Sequence, residues 1–399
     1  MSYLQRTKRV APATPAAGKT SSYVTTDGRP HELNDTGVDN MLASQDKYNY
    51  LRNSGFWFAQ RQNPAALTTY NSATNRLINA DGWGVTNQNA SAQYIRTDTS
   101  TTPEANLQSR YYGQYMKITS AGKLEITQCV EGVTSQNLRG RTVRLQLKMR
   151  GIIAASTVWN IGLVQNTGAV DAPTAAFFAA QGANGVDPTL GASLAYIAPK
   201  ATVTPDNAAI VGNKAQCTVT NSATWARFGA VFDVPTTAKN LIVVIWSDSQ
   251  IAATNGVAVA EVSLTDGFEV QDWQPQSIQE ELDRVERMYS KSFGTDTLPA
   301  QNAGLAGAVR GHVSVAGTVA GQPIGLRFRT RLRSAAPTFV FFNPSAANAF
   351  TRNTTAGTDA TATAAANTSD GSSDITFTGI AAWTVAQAVA VHYTADAEI

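Results

Sequence analysis

The sequence predicts a mainly β protein, ordered as an N-terminal extended arm, a jelly-roll β-sandwich, one linker helix and a smaller C-terminal β-sandwich domain. Three observations predict it. Apolar residues make up 43% and charged residues 15% of 399 positions, with 30 glycines, a balance that suits strands joined by turns. Short runs with the two-residue period of a half-buried strand recur along most of the chain. One segment, residues 277–293, breaks that texture and carries seven charged residues at helical spacing.

Residues 1–50 form the predicted arm. They hold few large apolar side chains and much Pro, Ala, Thr, Asp and Asn, too little apolar surface to fold alone. Arg6, Lys8, Arg9 and Lys19 lie in the first twenty residues with no acid among them, as in an arm that docks on an acidic partner surface. Residues 51–274 carry the sandwich, in runs such as "AQYIRTD", "QYMKITS", "KLEITQCV", "WARFGAVFDV", "NLIVVIWSD" and "GVAVAEVSLTDG". In "RTVRLQLKM", Val143, Leu145, Leu147 and Met149 share one face, and Arg144, Gln146 and Lys148 share the other. That alternation predicts antiparallel sheets buried on one side. The stretch from Asn166 to Ala192 reads as a long irregular insertion between strands.

Residues 275–294 are the linker helix. Ser277 is the expected N-cap, with Glu280 three residues on completing a capping box. Ile278, Leu282, Val285 and Tyr289 form the predicted apolar stripe, and Gly294 the expected stop. Glu280–Arg284 and Asp283–Arg287 are spaced as i,i+4 ion pairs. Residues 295–399 return to strand-like runs, with residues 353–373 read as a low-complexity loop.

The remaining composition narrows the function classes. A net charge of +2 and a pI near 8.4 give no global signal for nucleic acid or a membrane surface. The N-terminus lacks the apolar core of a secretory leader, and the apolar run "LIVVIW" is too short to span a bilayer. Cys129 and Cys217 have no zinc-type spacing and are expected to be buried thiols. His31, His312 and His392 accompany no nucleophile elbow, which argues against a serine or cysteine hydrolase. The candidate acids for a glycosidase pair include Asp81, Glu104, Glu125, Glu131, Asp248 and Glu261, and nothing in the sequence selects two of them. No cofactor and no catalytic or metal site is expected.

Two binding signals stand out. In "LRFRTRLR", Arg327, Arg329, Arg331 and Arg333 alternate with Leu326, Phe328, Thr330 and Leu332. A strand would put the four arginines on one face, either protecting an edge or pairing with acids of a neighbouring subunit, or offering a strip for an anionic glycan. Tyr111, Tyr112 and Tyr115 cluster in "RYYGQYMK", where packing is the preferred role and sugar stacking the alternative. Trp83, Trp225 and Trp246 sit in strand-like runs and are expected in the core.

Several short motifs, in order, resemble a module of tailed-bacteriophage virion proteins. They are Asn53-Ser54-Gly55-Phe56 with Gln60-Arg61, Asp81-Gly82-Trp83, and Leu138, Gly140 and Val143. Glu281-Leu282, Arg287, Tyr289, Lys291 and Phe293 follow, then Leu332-Arg333 with Pro337-Thr338, and the terminal "HYTADAEI". The match departs at Gly82, where the family carries Arg, and at Val285 and Met288, where it carries Cys and Tyr. The resemblance implies a virion structural protein assembled in the host cytoplasm, of tail fibre or appendage type. It implies a jelly roll similar to carbohydrate-binding modules, a homotrimer, and a chain docked by its arm on tail, portal or capsid proteins. Host surface glycan is the candidate ligand, without nucleic acid or membrane insertion. A capsid or collar decoration protein, and an enzyme that degrades surface polysaccharide, are the alternatives.

Overall fold

A computed structural model describes residues 14, 16, 20–24, 30–34, 39–41, 48–61, 68–70, 77–78, 80–88, 92–118, 120–152, 157–172, 177–221 and 224–398. The chain divides into two compact units, Met1–Tyr48 and Asn49–Ile399. The first contains a three-stranded antiparallel sheet, Thr20–Val24, Pro30–Asn34 and Asp39–Met41. Composition alone predicted no strands there. Local hairpin pairing, Thr20 opposite Asn34 and His31 opposite Met41, needs little apolar area. Arg6, Lys8, Arg9 and Lys19 lie outside the described residues.

The second unit opens with a two-sheet sandwich. The front sheet runs Ala226–Asp233, Thr142–Ile152, Gly256–Asp266, Tyr111–Lys117, Ala92–Asp98 and Thr68–Tyr70. The back sheet runs Ala208–Val211, Lys214–Val219, Thr157–Asn166, Asn240–Ser247, Leu124–Val130, Gly84–Asn87 and Leu77–Ile78. Leu194–Ile197 also pairs with Thr157–Asn166. The described pairings are antiparallel, and alternation decides which side chains meet between the sheets. Val143, Leu145, Leu147 and Met149 pack inward against Trp159, Ile161, Leu163, Val243 and Ile245, as their period predicts. Trp83 lies in this core, whereas Trp225 and Trp246 are buried on the outer faces of the two sheets. Cys129 and Cys217 are free and buried, and burial raises the Cys217 thiol well above its usual range.

The insertion after Asn166 is not idle loop. Phe177 and Phe178 pack on Val164, Ile242 and Trp246 and cover the back sheet's outer face. A short helix, Gly132–Asn137, precedes the Thr142 strand; Asp171 of the insertion accepts from the Gly132 N–H at 2.7 Å, where no residue of that helix supplies a cap.

The C-terminal part has a separate core of Ile324, Leu326, Phe341, Ile375, Phe377, Trp383 and Val391 between two sheets. Ala388–Asp396 is its central strand, pairing with Tyr289–Lys291, Val309–His312, Thr338–Phe342 and Arg352–Asn353. Gln322–Arg327, Ser372–Thr378 and Ala362–Ala366 form the second sheet. Residues 353–373 are therefore not one loop: Thr358–Asp359 and Ala362–Ala366 are strands within them, because pairing partners outweigh the weak strand propensity of Ala and Asp.

The long helix runs Ile278–Glu286, shorter than expected. Ser277 Oγ accepts from Glu280 N at 3.2 Å, as the capping box predicts. The stop does not come at Gly294, because Tyr289–Lys291 leaves the helix to pair with Thr394–Asp396. The buried face also differs. Ile278 is 54% exposed, while Glu281 (1%), Val285 (1%) and Met288 (1%) point inward. The expected i,i+4 pairs are replaced by one i,i+3 pair and by contacts outside the helix. Arg284 meets Glu281 at 3.3 Å, Arg287 meets Glu131 at 3.0 Å, and Asp283 meets Arg329 at 3.3 Å.

Candidate functional site

The outer face of the front sheet carries the most concentrated polar and aromatic chemistry. Between Thr142–Ile152 and Gly256–Asp266 the register slips: Gln146 faces Ser263, and Lys148 faces Ala260. Glu261 and Val262 therefore oppose Leu147 alone, a β-bulge, and the extra residue re-aims a side chain. Glu261 sits there with φ 51°, a left-handed conformation that a non-glycine residue adopts at a cost in strain. Its carboxylate is buried. Oε1 accepts from Ser109 N at 2.8 Å and from Gln108 N, and Oε2 lies 2.8 Å from Lys148 Nζ. Lys148 in turn donates to the Asn106 carbonyl. Glu261 thus fixes the loop over residues 104–109 above the sheet.

Beside it is a small cleft of about 20 Å³, open to solvent on one side and lined by Gln146, Lys148, Arg227, Glu261, Asp272 and Trp273. Gln146 exchanges two hydrogen bonds with the Gln271 backbone, donating to its carbonyl and accepting from its N–H at 3.2 Å. An amide side chain thereby imitates a strand and ties the cleft's wall to the sheet. Arg227 is shared between Asp206 and Asp272, the latter at 3.6 Å. The next row is also organised: Tyr112 OH accepts from Arg150 (2.9 Å) and Gln114 (3.2 Å) and donates to Glu104 (3.2 Å). Arg150 lies 5.1 Å over the Trp225 ring, which meets Tyr112 edge-on at 5.0 Å. At the strand ends, half-buried Trp57 and Tyr111 meet edge-on at 5.3 Å, and the guanidinium of Arg96 stands 4.5 Å over Tyr111.

The tyrosine cluster is thus divided. Tyr111 is half-buried at the rim, Tyr112 is buried within the outer polar network, and Tyr115 packs against Tyr94 in the core at 5.1 Å. Tyr115 is fully buried, which agrees with the preferred packing role and rules out the alternative of sugar stacking by that ring. The arginine strip is corrected. The strand ends at Arg327, and the chain continues irregularly although the alternation persists: Leu326, Phe328 and Leu332 are buried, and Arg327, Arg329 and Arg331 exposed. Arg329 meets Asp283 and Glu286, each at 3.3 Å, and Arg331 meets Asp370 at 3.5 Å. Arg333 donates to the Ala397 carbonyl at 2.7 Å. Three of the four therefore have partners within the chain.

The phage-like motifs converge elsewhere, on the joint between the two β cores. Asn53 holds φ 50° and its side chain bridges Phe58 and Asp81, while Trp83 Nε1 donates to its carbonyl at 3.1 Å. Its backbone N–H donates to buried Glu281 of the long helix. Arg61 pairs with Asp81 at 3.0 Å and Asp396 at 2.9 Å, and its guanidinium lies 4.1 Å over Tyr289. Arg52 pairs with Glu398 and donates to the Cys129 carbonyl. Lys291 donates to the carbonyls of Gln60, Thr295 and Thr297. Burial lowers Lys291 to about 8 and Arg52 to about 10, and it raises Asp81 and Glu281. Gly82, at φ +89°, sits where an added Cβ would stand 2.8 Å from Arg52 Nε.

The other candidate acids scatter: Glu104 to Arg150, Glu131 to Arg287, Asp248 to Lys214, and Glu125 beneath the insertion. His392 is buried, stacked on Phe293 at 4.3 Å, with Nδ1 near Ser292 Oγ and Nε2 near the Gly304 carbonyl. Among the described residues no group of three or more His, Cys, Asp or Glu could hold a metal ion, and no helix is long and apolar enough to cross a membrane. Sequence pattern missed Arg227, Asp272 and the role of Glu261. The signal for Glu261 was present, as the one charge inside the apolar run "GVAVAEVSL".

No family model and no curated protein matches the chain. Among solved structures it is similar to the enzymatically active domain of bacteriophage CBA120 tailspike protein 4, at 11% identity and TM-score 0.29, over 53% of this chain and 22% of that one. It is similar to the module TmCBM61 in complex with β-1,4-galactotriose, at 11% identity and TM-score 0.30, over 55% of this chain and 99% of that one. It is also similar to the CBM22-1 and GH10 modules of Clostridium thermocellum xylanase 10B complexed with xylohexaose, at 12% identity and TM-score 0.30, over 56% of this chain and 30% of that one. What this chain does is therefore argued from its own residues.

Proposed function

We propose that the protein is a non-catalytic structural component of a tailed-phage virion, of fibre or appendage type, which binds a host surface glycan through the front-sheet cleft. The observation that carries the glycan reading is the cleft itself: Gln146, Lys148, Arg227 and Asp272 beside Trp273, with Glu261 held strained and buried to fix the loop above. Fixed amides, a guanidinium and a carboxylate beside an aromatic edge suit the alternating donors and acceptors of sugar hydroxyls, at modest affinity that several copies raise by avidity. The order of the phage-like motifs supports the virion reading. Docking through the N-terminal unit and assembly as a homotrimer follow from that resemblance.

The acids nearest the cleft are committed to other work. Glu261 is held by two backbone amides and Lys148, and Asp272 lies beside Arg227, so neither is poised as an acid or nucleophile across a glycosidic bond. Retention of the protein on purified host polysaccharide, without release of reducing sugar, is the expected result. Sugar release supports the degrading-enzyme alternative instead. Deleting residues 1–45 should leave a folded protein that fails to enter virions; a chain that enters virions yet binds no glycan is a decoration protein.

A further inference from the structure

The outer face of the back sheet carries one polar row. Register sets Thr86 opposite Glu125, Glu125 opposite Trp246, Trp246 opposite Asn160, and Asn160 opposite Gln216. The neighbouring positions, Cys129, Val164, Ile242 and Val244, are apolar and packed beneath Phe177 and Phe178. Glu125 is fully buried in the middle of this row. Its Oε2 accepts from Thr86 at 2.8 Å, and its carboxyl is hydrogen-bonded to Gln181 of the insertion.

The insertion lies over this row as a cover. Lys123 Nζ donates to the Val186 carbonyl at 2.6 Å, Lys214 meets Asp187 at 2.6 Å, and Gly185 N donates to the Asp248 carbonyl at 2.9 Å. Among the described residues no cation reaches ion-pair distance of Glu125. Lys123 turns to Val186, and Lys117 Nζ donates to the Gln88 carbonyl at 2.6 Å. A glutamate with that surrounding is unexpected in a packed face unless its proton does something.

We propose that Glu125 is a proton-operated latch: the cover formed by residues 177–190 is closed over its neutral carboxyl and loosens when the carboxyl ionises. Burial pushes this carboxyl up to about 8, offset only in part by Thr86, Gln181, Lys123 and Lys117. Once solvated it would titrate near the ordinary value of about 4.3. The closed state thus keeps a proton that the open state releases, so closure is favoured fully below about 4.3 and weakens as pH rises toward about 8. The groups facing Glu125 are Thr86, Lys117, Lys123 and Trp246 from the sheet, Asp248 and Lys214 at its margin, Tyr196 beside Trp246, and Gln181 and Asp187 from the cover. Lys214 is already held by Asp187 and Asp248. Opening would uncover Trp246 Nε1 and Asn160 Oδ1, which have no hydrogen-bond partner among the described residues.

Hydrogen exchange on the full chain tests this, at about pH 5.5 and about pH 8, corrected for the intrinsic exchange rate. Amides of residues 177–190 should lose at least about tenfold in protection at the higher pH, while those of the Ala226–Asp233 strand do not change. In Glu125→Gln the cover should stay protected at both values. Equal protection of the wild-type cover at both pH values, or an equal loss in Glu125→Gln, overturns the latch. Should that variant not fold, carbon-13 titration of the wild-type Glu125 carboxyl decides: a midpoint above about 7 supports the latch, and one near the ordinary value of about 4.3 overturns it.

Discussion

Arg61 and Asp396, 335 residues apart in the chain, meet as a forked pair, Nε to Oδ2 at 3.2 Å and Nη2 to Oδ1 at 2.9 Å. The same guanidinium holds Asp81 of the sandwich and covers Tyr289, so one side chain ties the sandwich to two strands of the C-terminal core. A planar fork suits this task in a way an ammonium does not.

Of the three carboxylates on Arg61, with Glu398 at 3.5 Å the third, Asp81 and Asp396 should not count equally. Asp81 is 2% exposed and Asp396 is 39% exposed at the side chain. Removing the cation with Arg61→Met leaves Asp81 buried and unpaired, at an expected loss of about 3–5 kcal/mol. Asp396→Asn should cost about 1 kcal/mol or less, because solvent already screens that partner. Urea unfolding of both variants checks the order, and equal losses would contradict it.

The long helix offers a test of which face is buried. Val285→Ala should cost on the order of 2 kcal/mol, since Val285 is 1% exposed against the core. Ile278→Ser, at a position 54% exposed, should change stability by less than about 0.5 kcal/mol. Ser277→Ala removes the cap on Glu280 N and should cost about 1 kcal/mol. Thermal unfolding compares the three.

Asp359 gives a pH dependence with a definite sign. Burial opposes its ionisation, but hydrogen bonds from Arg352, Asn343 and Asn348 outweigh that and hold the carboxyl below its usual value. A lowered carboxyl stabilises the fold above the unfolded value of about 3.9 and loses that contribution as pH falls below it. Asp359→Asn should therefore cost about 1–2 kcal/mol at neutral pH and progressively less below pH 4, read from denaturant midpoints across that range. A cost that does not shrink in acid would count against the network.

Much of the architecture was legible because strand alternation is a local property. "RTVRLQLKM" placed its apolar face inward and Gln146 and Lys148 on the face that bears the cleft. The alternation of "LRFRTRLR" also survives in burial, yet the partners of Arg329 and Arg331 come from the helix and from Asp370, which no local pattern announces. The helix stripe failed at Ile278 for a related reason. Glu281 turns inward because the Asn53 N–H, 228 residues away, satisfies it. Glu261 stood out as a lone charge in an apolar run, but its role was hidden by the bulge: a register slip changes which face a residue serves, and periodicity carries no mark of it.

The cleft is where the functional account stands or falls. A glycan array read with the wild type, Arg227→Ala and Asp272→Ala tests it most directly, because both side chains line the cleft and Asp272 is 75% exposed, so its loss should not unfold the protein. The wild type should bind a subset of glycans, and each variant should lose at least about tenfold, equivalent to about 1.4 kcal/mol, with the melting temperature of Asp272→Ala unchanged. Variants that bind as the wild type does, or a wild type that binds no glycan, would contradict it.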